Sequence, residues 1–598
     1  MFNKNFILTS ENNQNSSNLL VTTPLDGTWR GGENIVFLGE WCKKYSKNNV
    51  YNSEVSTVIP YHWKNRKKFR EDHKYLSNLY KEMLIKVSLE LNSIHKTEHS
   101  LEYWQIIIGP WLLTYVAVVF DRWESIRLAA DLGIPLKTVV PSSATARSAT
   151  YDYNSSMQLM MKGDEWNYLL YCDILQVQNA PEIEIIRERV IIENRSISIN
   201  KGRRLRPIRM VAKLLDYMAR KICLTDSYNI LLYKSYFSIK NLMRLNLKLK
   251  QIPRLHLEFE KYIHCEGLNS SMRSGLHEDC SSSEFENFLM KNIFKDMPKV
   301  YIEGYRNIFL YCKKLPKAKV IFTANAHYGD EVFKNWMARQ VENGSKLIIG
   351  EHGGSIPASI SENLLHEETI CFKKTVWHSL LHHLKHVSMP INKKMKKVSN
   401  LKGTKVTLIG IESVKYSFRI EPGPGSSLMM CDLEQKTKFI NTLNKKTHIN
   451  FKIRPATNNG WFIGNRYADM YGDAILSTNK KLFQDFSQSK IIICSHPQTV
   501  FSEAMHSGVP TILLYKEEYW EMHPDYNELM KELRRVNIVH SDPVSAANHI
   551  NLIQANPLEW WNRSDTVEAR NMFSDTCGEN VNNSITAWSV FFIRMLTE

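Results

Sequence analysis

"CSHPQTVFSEAMHSGVPTILLY", residues 494–515, holds the pattern from which the fold can be read. The apolar run Ile491-Ile492-Ile493 leads into it, and a second, Thr511-Ile512-Leu513-Leu514, closes it. Both have the length and composition of buried strands. Between them a polar corner (Ser495, His496, Gln498, Thr499) passes into a short amphipathic segment with one carboxylate, Glu503, and then into Gly508-Val509-Pro510. Strand, helix and strand in that order predict a parallel α/β unit. The corner lies at a strand carboxyl end, where open α/β sheets bind ligands. A helix starting near Thr499 aims its unpaired N–H groups and the positive end of its dipole there, which suits a phosphate. Ser495 and Thr499 add neutral hydrogen bonds, and Glu503, one turn beyond Thr499, can accept from ribose hydroxyls. The same residues also read as helix caps beside a solvated acid.

Outward from this unit the rhythm repeats. "INFKIRP" (449–455) and "KIIICS" (490–495) read as strands, with helical "KLFQDFSQ" (481–488) between them. The apolar run Val406 to Ile411 follows a lysine-rich linker starting at Met389, which marks where a second α/β domain begins. Upstream, "NIVFLGEWC" (34–42), "KTVVP" (137–141) and "AKVIFTANAH" (318–327) are strand candidates, and residues 318–354 read as strand, helix, strand and glycine turn. Residues 142–300 are charged and Met-rich, without sheet rhythm. The sequence therefore predicts an α/β protein with two Rossmann-like domains facing a central cleft. The first spans 1–395, with a helical insertion over about 142–300; the second spans 396–560, and C-terminal helices at 561–598 pack back on the first.

At 598 residues the chain exceeds one hydrophobic core, and 43% apolar content excludes a disordered polymer. The net charge of +16 predicts an anionic partner. Ten scattered cysteines, with no CxxC and no paired Cys/His spacing, argue against structural zinc and for a reducing cytoplasm. The N-terminal stretch shows no apolar h-region, so no secretion signal is read. The uncharged run from Tyr103 to Phe120 reaches the length of a membrane span, but Gly109-Pro110 should interrupt any helix there, and a buried core element is expected. The basic runs "NRKKFR" (65–70), "KGRRLRPIR" (201–209) and "KKMKK" (393–397) read as solvated surface or, together, as a peripheral contact with an anionic inner membrane. No nucleic-acid motif accompanies them.

The spacing S-x-P-x-T-x-x-x-E-A-x-x-x-G-x-P from Ser495 to Pro510 resembles the donor half of GT-B glycosyltransferases. "TPLDGTWRGGENIVFLGEWC" (23–42), "YHWKNRKKFREDHKYLSNLYKEM" (61–83), "HSLEYWQIIIGPWL" (99–112), "FDRWESI" (120–126), "GEHGG" (350–354) and "RPATNNGWFIGNRYADMYGD" (454–473) resemble, in order, the motifs of a transferase family. That family is encoded in O-antigen and other surface-carbohydrate gene clusters. A more distant likeness ties the layout to capsule Kdo and nonulosonic-acid transferases and to CDP-glycerol polymerases. The resemblance implies a GT-B-like, metal-independent glycosyltransferase of the cytoplasm or the inner-membrane surface. It would need no cofactor beyond its nucleotide-sugar donor, a CMP-linked nonulosonic or Kdo-like sugar, and would act on a surface-polysaccharide, lipopolysaccharide or lipid-linked glycan acceptor. The alternatives are a CDP-glycerol-type phosphotransferase, a nucleotide-sugar epimerase and a non-catalytic scaffold of polysaccharide assembly.

For the donor, the candidates are Arg454, Ser495, His496, Thr499 and Glu503. A guanidinium at the end of "INFKIRP" can clamp phosphate bidentately. The related enzymes carry His-Pro shortly after this arginine, whereas Pro455 is followed here by Ala456, so that histidine's role is either missing or taken by His496. For catalysis the candidates are Glu40, His352 and Asp26. His352 resembles the base of CDP-glycerol polymerases, and a near-neutral imidazole suits proton transfer; a structural histidine of the turn is the alternative. Glu351 beside it points elsewhere if the strand continues through it. Among the acids Asp26, Glu40, Asp121 and Glu124, Glu40 is the first choice for a nucleophilic carboxylate and Asp26 the next. Trp29 and Trp41 can stack on a sugar ring or pack in the core. No metal ligands are expected.

Overall fold

The computed structural model of the chain describes residues 18–29, 34–45, 56–143, 145–178, 180–192, 227–253, 257–276, 282–354, 356–380, 383–393, 395–578 and 584–598. Three parallel five-stranded sheets form its frame. The first, in the order β3-β2-β1-β4-β5, contains β1 (Asn18–Val21), β2 (Ile35–Phe37), β3 (Ser56–Val58), β4 (Leu136–Pro141) and β5 (Ile183–Glu188). The second, in the order β10-β9-β8-β7-β6, contains β6 (Ser227–Tyr233), β7 (Lys317–Thr323), β8 (Lys346–Gly350), β9 (Lys373–Val376) and β10 (His386–Ser388). The third, in the order β12-β11-β13-β14-β15, contains β11 (Lys405–Ile409), β12 (Phe451–Arg454), β13 (Ser489–Cys494), β14 (Thr511–Leu514) and β15 (Val539–His540). Strand order reverses between β1 and β4 and between β11 and β13, creating a ligand crevice at each reversal. The second sheet is wound in sequence, without a reversal.

The α/β class follows the alternation in the sequence, and β13, the helix Thr499–Ser507 and β14 form the predicted unit. The number of sheets differs from expectation. Residues 142–300 are not a purely helical insertion: they supply β5, the edge of the first sheet, and β6, the edge of the second. Edge strands are only partly buried, and β5 alternates Ile with Glu and Arg, so it lacks the apolar run of an interior parallel strand.

A second difference concerns Gly109-Pro110. The helix Leu101–Ala130 runs unbroken through both residues, with almost every side chain from Tyr103 to Ile126 buried. Pro110 removes the N–H that the Ile106 carbonyl would accept. The turn gains two further bonds: from outside, buried Lys334 donates to the neighbouring Ile107 carbonyl at 3.0 Å, and within the helix the Thr114 hydroxyl donates to the Pro110 carbonyl at 3.0 Å. Further along this helix, Arg122 is 0% exposed and fully engaged. It pairs with Asp121 at 2.7 Å and donates to Asn167 Oδ1 at 3.0 Å, to the Met160 carbonyl at 3.1 Å and to the Ser417 carbonyl in the loop after β11. Asp121 also accepts the Tyr61 hydroxyl at 2.8 Å and lies 2.9 Å from His62 Nε2. Burial alone would raise its pKa, but Arg122, His62 and Tyr61 together hold it below the ordinary value.

The second sheet is covered on one face by the helix Glu331–Glu342, through Phe333 and Trp336. On the other face lie the helices Ile239–Lys248 and Ser584–Thr597, with Leu245, Trp588 and Phe592 against Val320, Phe322 and Ile348.

Arg122→Met leaves Asp121 buried with two neutral-capable partners and strands the Ser417 carbonyl. It should destabilise the fold by about 3–5 kcal/mol, seen as a lower urea midpoint. An unchanged midpoint would mean that the network bears no weight.

Candidate functional site

The carboxyl ends of β8 and β9 face those of β13 and β14 across a cleft of about 510 Å³. Its narrowest point is set by backbone. A Cβ added at Gly353 would lie 2.5 Å from Thr499 Oγ1, so only glycine lets the turn after β8 meet the start of the helix Thr499–Ser507. Gly354, with φ of +138°, takes a conformation that side chains rarely adopt, and Glu351 Oε1 lies 2.9 Å from where its Cβ would be.

Behind this turn Glu367 is buried. It pairs with Lys374 of β9, lies 3.2 Å from His327 Nε2 and accepts the Tyr328 hydroxyl at 2.5 Å. Burial alone would raise its pKa, but Lys374 and His327 hold it well below the carboxylate range, so it is a fixed negative charge. His352 borders the cleft near that charge. Burial lowers its pKa against the smaller upward pull of Glu367, which keeps the imidazole neutral at pH 7. Glu351 behaves in the opposite sense: burial pushes its carboxyl up to about 7, although the Trp377 N–H donates to it at 2.5 Å.

A second cavity, of about 210 Å³, continues from the cleft past Arg419, Gln498 and Trp520. It is walled by Tyr61, Trp63 and Phe69, from the first sheet and the start of helix Arg66–His95. Its other wall is the loop after β11, where buried Glu412 accepts the N–H groups of Asn459 and Trp461 at 2.7 and 3.0 Å.

Residues 18–592 match the sequence profile of LIC12162 family transferases. The chain belongs to this family. The crystal structure of MurG from Acinetobacter baumannii is a weak likeness, at 11% identity and a TM-score of 0.30, covering 64% of this chain and 96% of that one. No curated protein matches the chain at a significant level.

Within this LIC12162 family transferase, the residues expected from sequence are divided. His352 and Thr499 line the same cleft, from opposite sides. Ser495 is buried and its hydroxyl donates to the Ile409 carbonyl at 2.6 Å, tying β13 to β11 at the reversal point. His496 stacks on Trp520 with ring centroids 6.0 Å apart, and burial lowers its pKa to about 4. Glu503 pairs with Lys393, a cleft residue, so the acid is engaged in fixing that ammonium. Arg454 is not a free phosphate clamp: it is ion-paired with Asp485 and donates to the Asn479 carbonyl at 3.0 Å, holding the 479–485 loop at edge strand β12.

The acids that the sequence offered as catalytic candidates are not among the residues lining the cleft. The Glu40 backbone N–H donates to Ser427 Oγ at 2.9 Å, and its carboxylate pairs with Lys43 at 3.0 Å. Asp26 is exposed and pairs with Lys44. Asp121 belongs to the Arg122 network, and Glu124 pairs with Lys68 at 2.8 Å and Arg127 at 2.9 Å. Trp41 is a core residue whose indole donates to the Thr22 carbonyl at 3.1 Å, and Trp29 packs on Phe37 with centroids 5.1 Å apart. Sequence reasoning missed Glu351, Glu367, Lys374 and Arg419 as cleft residues. Only Glu351 carried a legible signal, as the first residue after β8 and before the glycine pair.

Two outcomes follow from this geometry. Gly353→Ala should lower the melting temperature through an overpacking cost of about 1–3 kcal/mol, and Thr499→Ala added to it should restore most of the loss; no rescue would place the strain elsewhere. The folded-state pKa of Glu351 lies above its ordinary 4.5, so its neutral form contributes stability that is complete below that pH and is lost as pH rises through about 7. Melting temperatures of the wild type and Glu351→Gln, compared across this window, should diverge as pH rises, the wild type falling relative to the variant.

Proposed function

We propose that this transferase is a glycosyltransferase that binds a nucleotide-activated sugar in the cleft between the second and third sheets and passes it to a glycan acceptor. The carrying observation is the apposition of Gly353-Gly354 and Thr499: a glycine turn meets the first residue of a helix beside a space bordered by that helix's N-terminus. That geometry suits a phosphoryl group held by main-chain N–H donors. Cations nearby are already matched, Lys374 to Glu367, Arg419 to Glu421 and Lys393 to Glu503. A donor with a single phosphate therefore fits better than one needing several free cations, which favours a CMP-linked sugar of the nonulosonic or Kdo type.

In this reading His352, neutral and beside the cleft, takes the proton of the acceptor hydroxyl. The adjoining cavity, with Trp63, Phe69 and Trp520 in its walls, offers aromatic faces to the acceptor sugar. The acceptor is a surface-polysaccharide glycan, and the reaction takes place on the cytoplasmic side without a resident cofactor.

A thermal-shift screen tests the donor seat. CMP or CDP should raise the melting temperature while UDP, GDP and ADP do not, and a flat response to all five would remove the donor. With the active nucleotide sugar found, His352→Ala should keep the nucleotide shift and lose about 10²–10⁴-fold in transfer rate. Turnover of the nucleotide sugar without any acceptor would instead identify an epimerase.

A further inference from the structure

At the amino-terminal ends of β7 and β8, the opposite end of the second sheet from the cleft, lies a cavity of about 600 Å³. Lys313, Lys317, Lys319, Arg339 and Lys346 line it, and no carboxylate does. Among the described residues none of these five cations is ion-paired, although Lys346 Nζ donates to the Met595 carbonyl at 3.1 Å. Two acids close in sequence to the lining are engaged elsewhere: Glu342, three residues after Arg339, with His99 at 2.8 Å, and Glu598, two after Leu596, with Arg594 at 2.5 Å. Five unmatched positive charges around one hollow repel each other unless an anion occupies it.

The Lys346 bond ties this hollow to the last turn of the helix Ser584–Thr597, and that helix leads to an apolar face. The neighbouring helix Ile239–Lys248 exposes Ile239 (80%), Met243 (52%) and Leu247 (70%) at intervals of four residues, one stripe on its surface. Lys240, Arg244 and Lys248, all exposed, form the stripe beside it. Helix Ser584–Thr597 adds exposed Val590 and Ile593, and Lys248 Nζ donates to Thr586 Oγ1 at 3.2 Å, which joins the two helices side by side. Single exposed apolar residues are ordinary; two adjoining helices that share five of them, flanked by a basic row and an unmatched basic hollow, are not.

We propose that this face docks on an anionic lipid bilayer. The two helices lay their apolar stripe at the acyl boundary, the basic row meets lipid phosphates, and the hollow between Lys313 and Lys346 takes an anionic headgroup. Among the described residues, most cations of the basic runs visible in the sequence are ion-paired elsewhere. Arg66 and Arg70 pair with Glu521, Lys68 with Asp72 and Glu124, and Lys393 with Glu503, while 201–209 and residue 394 lie outside the described residues.

Co-sedimentation of the full chain with vesicles tests this without any substrate. Binding to phosphatidylglycerol-containing vesicles should exceed binding to pure phosphatidylcholine by roughly tenfold or more and should weaken in high salt. Lys317→Glu with Lys319→Glu, both exposed, should lower the binding by about tenfold, and Ile239→Ser with Leu247→Ser should lower it independently. A circular-dichroism melt checks that each variant is folded; if one is not, the lipid and salt arms on the wild type decide alone. Equal binding to neutral vesicles, or anionic binding untouched by both folded double variants, overturns the proposal. So does a wild-type dimer that Ile239→Ser with Leu247→Ser converts to monomer with no loss of vesicle binding, since the face would then join two copies. Inorganic phosphate that protects the melt while vesicles do not bind would reassign the hollow to a free anion and likewise overturn it.

Discussion

A guanidinium with no access to water ties the helices of the first sheet to the loop that follows the third sheet's first strand. Arg122 must have every donor met, because an unpartnered buried charge costs several kcal/mol. Its partners come from its own helix (Asp121), from helix Asp164–Gln178 (Asn167), from the end of helix Tyr153–Lys162 (the Met160 carbonyl) and from the third sheet's loop (the Ser417 carbonyl). Beside the last of these, Lys415 and Tyr416 both bond Asp164, at 2.6 and 2.7 Å. Two residues beyond Ser417 the same loop delivers Arg419 to the cleft. The cleft wall is thus fixed by polar bonds to helices of the first sheet, although the cleft itself lies between the second and third.

This anchoring bears on the charge of the site. The chain carries a net +16, and an anionic ligand in the cleft is the simplest use for it. Yet Lys374, Arg419 and Lys393, all bordering the cleft, are each neutralised by a carboxylate, from Glu367, Glu421 and Glu503 in turn. In the proposed reading, recognition in the cleft depends on neutral donors in fixed positions. Among the described residues, one cluster of unmatched charge is on the far side of the second sheet, where Lys313, Lys317, Lys319, Arg339 and Lys346 converge. Three of the five fall within the short lysine-rich stretch Lys313 to Lys319, while Arg339 and Lys346 join them only through the fold.

The same distinction explains what the sequence could tell. The unit from β13 to β14 was legible because each of its features is local: an apolar run, a helix start, a Gly-Val-Pro return. Thr499 and His352 were legible as strand-end residues for the same reason. Arg454 reads in the sequence as a phosphate clamp, and its ion pair with Asp485, 31 residues downstream, is one that no spacing rule announces. Ser495 was half-read: the corner was found, but its hydroxyl bonds the Ile409 carbonyl across 86 residues. Glu351 gains its character only from burial against Trp377, a tertiary event. Edge strand β5 escaped notice because a half-exposed strand does not show the apolar run that identifies interior ones, whereas β6 does carry a buried run, Ile230 to Tyr233, that the helical reading of 142–300 passed over.

Helix Leu101–Ala130 shows how far tertiary partners can overrule local propensity. By length and composition it passes the test for a membrane span, yet it is almost wholly buried in protein. Helices Arg66–His95, Asp164–Gln178 and Glu331–Glu342 surround it, so it is apolar on every side for want of a solvent-facing one. A proline in the middle of such a helix removes one hydrogen bond and opens the turn before it, a cost of about 3 kcal/mol or more when nothing compensates. Here Lys334 reaches in from helix Glu331–Glu342 with its Nζ on the Ile107 carbonyl, and Glu331, 3.0 Å away, matches its charge. Burial lowers the Lys334 pKa while Glu331 raises it, and burial likewise raises that of Glu331, so the two stay together as a coupled pair. The break that Gly109-Pro110 announces in the sequence therefore becomes the point where the first sheet's central helix is joined to the second sheet's covering helix.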